Sequence, residues 1–161
     1  MNHSLEQFAT EIGLSSSEHA ELRLTFGYAC AMRIRHLLEE PEVIECLRVL
    51  GEYLAGRVDS VTFARSQQDA DRLANQHPGS KSIDGCGHAA VSASYAVAQA
   101  INGKALQAAS YAAYALVYAG GGYGAVTQRE AFEAEFAWQL DELKSLLART
   151  RTHLSASVRA P

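Results

Sequence analysis

The sequence predicts an all-α fold, a single-domain antiparallel bundle of about seven helices. Three observations carry that prediction. Apolar residues recur at spacings of three and four in every long segment, and no alternating strand pattern interrupts them. Capping and stop signals cut the chain into helix-length pieces joined by short turns. Residues 86–119 read CGHAAVSASYAVAQAINGKALQAASYAAYALVYA, two runs coated with Ala and Ser and joined at Asn102-Gly103. Alanine has no rotamer entropy to lose in a helix, and its methyl lets neighbouring helices come close. The sequence therefore places this Ala/Tyr-rich pair at the centre of the bundle. Tyr95, Tyr111, Tyr114 and Tyr118 are expected to fill core space that the alanines leave, their hydroxyls reaching polar groups or water.

In chain order, Ser4 can cap a short helix over 5–12, and Gly13 supplies a left-handed stop. Ser15, Ser16 and Ser17 offer N-caps for a long helix to about residue 39, with Leu22, Phe26, Cys30, Ile34 and Leu37 as its stripe. Arg33 lies inside that stripe. It must reach water along its alkyl stem or pair with a buried acid, because an unpaired charge in a core is costly. Pro41 is well placed to open a third helix with Val43, Ile44, Leu47, Leu50 and Leu54 on one face, ended by Gly56. Glu52 falls between those apolar positions and is the expected partner of Arg33.

Ser60 can cap a fourth helix through 75 carrying Val61, Phe63, Ala64, Ala70 and Leu73, before His77-Pro78-Gly79-Ser80 breaks the chain. After the central pair, Gly120-Gly121-Gly122-Tyr123-Gly124 reads as a flexible linker. Thr127 with Glu130 makes a capping box for a last helix whose stripe is Phe132, Phe136, Leu140, Leu143 and Leu147. From Arg149 the sequence is basic, polar and aperiodic. The expected domain is thus 1–148, followed by a mobile tail over 149–161.

Composition narrows the functional classes. A chain of 161 residues, 48% hydrophobic and 20% charged, suits one globular core. It has no apolar run near the ~20 residues that cross a bilayer. The opening MNHSLEQFATEIG lacks a basic region followed by an apolar one, so a cytoplasmic protein without a signal peptide is expected. Three cysteines, Cys30, Cys46 and Cys86, are an odd number in helical stretches and read as reduced, buried thiols. A net charge of −4 argues against a nucleic-acid surface.

No pattern of residues amounts to a catalytic site, so a non-enzymatic role without cofactor or metal is expected. Cys86 and His88 form a Cys-x-His pair, but zinc wants three or four ligands and no second cluster stands at a workable spacing. His88 is read as a structural polar residue, as are Arg33, Glu52 and Tyr111. The glycine linker has neither a GK[ST] ending nor a preceding strand and is not a phosphate loop. Arg72 and His77 resemble the Arg-x4-6-His element of the helical ribonucleases called HEPN proteins, with Leu73 where that family has a polar residue. A helical ribonuclease using that pair, or a metal hydrolase using His88, is the enzymatic alternative. Acids cluster at Glu39, Glu40, Glu42 and Glu45, and again at Glu130, Glu133, Glu135, Asp141 and Glu142. Both clusters read as solvated helix faces, and the first is the candidate partner-binding ridge.

The string LRLTFGYACAMRIRHLLEEPEVIECLRVLGEYLAG carries a wider likeness through Leu22, Arg23, Leu24, Phe26, Ala29, Cys30, Arg33, Leu37, Leu38, Glu52, Tyr53 and Gly56. Gly87-His88-Ala89 and Ala108-Ala109-x-Tyr111-Ala112 extend it. Together these resemble a family of small all-helical immunity proteins of bacterial polymorphic toxin systems, and related N-terminal modules of planctomycete-type proteins. Where that family often has a second histidine in the fifth helix, this chain has Tyr95 and Gln99. The resemblance implies a binder of a cognate protein toxin, covering its active site or holding it inactive. A self-associating scaffold, a homo-oligomer packed through the Ala/Tyr surface or the last helix, is the other non-enzymatic reading.

Overall fold

Alanine decides where the centre of this bundle lies. The computed structural model describes residues 2–78 and 87–157, with side chains through 150. Among the described residues there are seven α-helices and no strand: α1 (His3–Glu11), α2 (Ala20–Arg33), α3 (Pro41–Leu54), α4 (Ser60–Asn75), α5 (Gly87–Ile101), α6 (Ala105–Ala125) and α7 (Glu130–Ser157). None of them is long and apolar enough to cross a membrane. The most extensive helix–helix contact is α5 on α6, and α2 lies across both. Ala93, Ala96, Ala100, Ala108, Ala112 and Ala115 are wholly enclosed in that contact region. At Gly27 of α2 an added Cβ would stand 3.0 Å from the Ala100 Cα, so the α2–α5 crossing depends on a residue with no side chain. Larger side chains fill the space beside this close-packed layer: Phe26, Ile34, Leu47, Leu50, Ile101 and Leu143 are all fully buried.

Helix ends follow local chemistry. Gly13, Gly56 and Gly103 all have φ between 64° and 69° and close α1, α3 and α5 in the same way. In each case the next residue's amide reaches the carbonyl five back (Leu14 to Ala9, Arg57 to Glu52, Lys104 to Gln99), each bond 2.9 Å. That is the paired reverse hydrogen bonding of a glycine C-cap. Asp59, one residue ahead of the expected Ser60, caps α4 by accepting from the Thr62 amide at 2.8 Å. Asn2 replaces Ser4 as the cap of α1, accepting from the Leu5 amide at 3.2 Å.

Several expected boundaries move. The second helix does not reach residue 39. It ends at Arg33, and after a 3-10 turn at Arg35–Leu37 the backbone is extended at Leu38 and Glu40. Pro41 disfavours helical geometry in the residue before it, so the chain has to unwind ahead of α3. The glycine-rich segment is not an open linker: helix continues to Ala125, broken at Gly122 (φ 61°, ψ −154°). Thr127 donates its hydroxyl to the Gly124 carbonyl at 2.8 Å instead of forming a capping box. The last helix runs to Ser157, past residue 148, and the rest of the expected tail, 158–161, lies outside the described residues. Val61, assigned to the apolar face of α4, is 71% exposed.

Two substitutions test this packing. Gly27→Val should lower stability by about 1–3 kcal/mol through overpacking against Ala100, read as a lower urea midpoint with unchanged slope. Ser94 is 1% exposed and its hydroxyl has no partner. Ser94→Ala should therefore leave stability unchanged or raise it by up to about 1 kcal/mol in the same titration.

Candidate functional site

The inward face of α7 holds a polar seam that periodicity did not reveal. Positions 132, 135, 139, 143 and 146 point into the bundle, and two of them are Glu135 (5% exposed) and Gln139 (0%). The expected pairing of Arg33 with Glu52 is overturned. Arg33 donates from Nε to Glu135 Oε2 at 2.5 Å, and its guanidinium lies 4.4 Å from the Trp138 ring centroid. Glu52 instead takes Arg57, five residues on, at 2.6 and 3.0 Å. The reason is reach: Arg57 follows the turn that ends α3 and meets Glu52 at the surface, whereas α7 brings a desolvated carboxylate to Arg33. Glu135 is accordingly not part of a solvated acidic face.

Gln139 completes the seam. Its Nε2 donates to the Ala109 carbonyl of α6 at 2.8 Å and to Glu135 Oε1 at 3.1 Å. Its Oε1 accepts from Asn2 Nδ2 at 3.3 Å, and the same Asn2 amide also donates to the Phe136 carbonyl at 2.9 Å. One row of side chains thus ties α7 to α2, α6 and the start of α1. Burial pushes the Glu135 carboxyl above its ordinary range, with Arg33 and Gln139 pulling against that rise. Burial, reinforced by the nearby Glu135 and Glu142 charges, pushes the Cys30 thiol well up, away from the thiolate that a nucleophile would need.

Of the tyrosines expected in the core, Tyr95 is half-buried against it and Tyr118 half-buried, but Tyr111 and Tyr114 are not core filler. Tyr111 is 36% exposed, Tyr114 37% and Tyr123 60%. The alanine contacts fill the space between α5 and α6, so Tyr111, Tyr114 and Tyr123 stand along the outer face. There Tyr95 stacks on Tyr111 at 5.1 Å, and its hydroxyl donates to Asn75 Oδ1 at 3.0 Å. Tyr118 contacts Tyr114, Tyr123 and His88, and His88 meets Tyr123 edge-on at 4.4 Å. Tyr114 also meets Phe132 edge-on at 5.1 Å. Phe132 and Phe136 floor a groove of about 630 Å³ at the end of this face, rimmed by Asn2, Thr127 and Arg129. Between Gly87 and Gln128, Lys104 is the single Asp, Glu, Lys or Arg. The hairpin therefore presents a surface of aromatic rings and hydroxyls almost without formal charge. That absence of charge, together with five of the seven tyrosines, was the signal available in the sequence.

The remaining candidates are scattered. Glu39 and Glu42 are exposed and Glu40 half-buried at the start of α3. Glu45 is engaged by Arg48 at 2.6 and 2.7 Å, which holds its carboxyl below the ordinary range. Arg72 is held by Asp69 at 3.1 Å on the outside of α4, and His77 lies beyond the end of that helix. Cys86 lies outside the described residues. Among the described residues no group of three His, Cys, Asp or Glu could hold a metal ion. Fold and surface together define an all-α bundle with an exposed, uncharged tyrosine face. No family model, curated protein or solved structure matches the chain.

Arg33→Ala should cost about 2–3 kcal/mol, because it leaves a buried carboxylate without its cation. The pH dependence has a definite sign. Glu135 holds its proton to higher pH in the fold than in the unfolded chain, where it ionises near about 4.3. Between those two values the native state binds more protons, so this residue's contribution to stability falls as pH rises. Urea titrations across that window should show the stability difference moving in favour of Glu135→Gln over wild type as pH rises.

Proposed function

We propose that this protein is a non-enzymatic binding protein, an immunity protein that neutralises a cognate toxin by direct contact through the tyrosine face of α5 and α6. The observation that carries the reading is the exposure of Tyr111, Tyr114 and Tyr123 on a surface nearly free of charge. Depletion of charge and enrichment in tyrosine are the compositional marks of the buried core of a protein interface. Tyrosine is also among the residues that contribute most when an interface forms. The partner is a protein whose docking face is itself uncharged, with apolar groups for the rings and hydrogen-bonding groups for the hydroxyls. A charge set against this face would be desolvated without a counter-ion. The sequence likeness to helical immunity proteins supports the choice of a toxin as partner. The exposed Glu39 and Glu42 would steer a basic toxin without supplying the contact energy.

The same neutrality suits a second copy of the chain, which is the alternative scaffold reading. Light scattering on the purified protein separates the two, since a binder of this kind is a monomer until its partner is added. The direct test uses the purified product of the neighbouring gene in calorimetry at low salt. Tyr111→Ala/Tyr114→Ala should weaken binding by at least about tenfold, or about 1.4 kcal/mol, with an unchanged thermal midpoint. Equal binding by the double variant, or no binding by the wild type, would overturn the proposal.

A further inference from the structure

The outer surface of α3 and α4 carries a second pattern, made of residues that the tyrosine face does not use. The two helices leave between them a furrow of about 460 Å³. Its floor is Cys46, Val49 and Ser66, all less than a tenth exposed, with Leu73 near one end. Cys46 and Ser66 are small, and their side chains meet in the furrow floor, so little bulk rises there. Toward the α3–α4 turn the helices are joined by Tyr53 stacked on Phe63 at 3.8 Å. The lining residues recur at helical spacing, 42, 45, 46 and 49 on one side and 62, 65, 66, 69, 72 and 73 on the other. The furrow therefore follows the helix axes for two to three turns, roughly 12–16 Å.

Its walls differ in charge. On the α3 side Glu45 is neutralised by Arg48, which leaves Glu42 without an ion pair among the described residues. On the α4 side Asp69 is neutralised by Arg72, which leaves Arg65. Among the described residues, one unpaired anion thus stands toward the open end of the furrow and one unpaired cation toward the α3–α4 turn. A furrow that follows the helix axes, with opposite charges toward its two ends, fits a helix better than an extended strand or a compact ligand. Side chains three and four apart on a helix share one face, while its flanks project to both sides.

We propose that this furrow is a docking site for an amphipathic helix of a partner protein. The helix seats a Leu or Met side chain over Cys46 and Ser66, sets a Lys or Arg against Glu42 and sets an Asp or Glu against Arg65. The inference goes beyond the toxin-binding reading and shares with it only Glu42, which is a long-range steering charge there and a contact residue here.

The test uses stapled helical peptides of about three turns, fluorescently labelled and titrated by anisotropy against the full-length protein. One peptide carries a central Leu flanked by Lys on one side and Glu on the other; a second has Gln at both flanks. The charged peptide should bind wild type about tenfold more tightly than the Gln peptide. Glu42→Gln/Arg65→Gln, a change confined to the surface, should bind the two peptides equally. Ser66→Leu, which fills the hollow, should bind neither, with its helical circular dichroism unchanged. The proposal is overturned if neither peptide binds wild type below about 1 mM, if the charged flanks give no advantage, or if both variants bind like wild type.

Discussion

The alanine-packed contact between α5 and α6, with α2 crossing closely at Gly27 and Ala100, is the constraint from which the rest of the arrangement follows. Helices this close leave room for a methyl and little else. Each buried alanine removes little apolar area from water, so large side chains must supply most of the hydrophobic stabilisation at the edges of the layer. Phe26, Ile34, Leu47 and Leu50 do so from α2, α3 and the turn between them. The bulk of α6 has only one place left to go. Its rings stand on the outside because its inside is occupied by Ala108, Ala112 and Ala115.

The position of α7 is specified by chemistry that an apolar stripe does not contain. Phe132, Leu143 and Leu146 would tolerate a small slide of the helix, since apolar contacts are non-directional. Gln139 would not. Its amide is matched to the Ala109 carbonyl and its carbonyl to Asn2, and any slide would leave buried polar atoms without partners. Through Asn2 the same seam sets where α1 begins, and through Glu135 it sets where the last turn of α2 lies. Polar groups here contribute register, while the alanines and leucines contribute most of the burial.

That division explains what could be read from the chain. The helical class and the place of the Ala-rich pair were legible because both rest on local propensity and spacing. Gly13, Gly56 and Gly103 announced three helix ends, since few other residues accept a positive φ. The polar seam was hidden because a Glu and a Gln in a long charged helix look like any solvated pair, and burial is decided by a partner one hundred residues away. Arg33 was recognisable as a residue in need of an acid. Which acid it takes depends on a helix packing that no local pattern encodes. The tyrosine face was misjudged for a related reason. The same small residues that mark a core also determine which larger ones are expelled from it, and that follows only from the closeness of the contact.

The charged residues complete the picture of the surface. Arg33, Arg48, Arg57 and Arg72 are each held by an acid of the chain itself. These pairs cancel local fields, and exposed ones contribute little to stability. Under the proposed reading, a toxin meets a modest net negative charge acting at long range and a neutral aromatic face acting in contact, apart from the α3–α4 furrow. A tyrosine has only two side-chain torsions to fix, and those on α6 already rest against neighbouring rings. Under the proposed reading, little ordering entropy is left to lose on association. On that reading, rigidity gained from the alanine layer becomes affinity at the face that the same layer pushed outward.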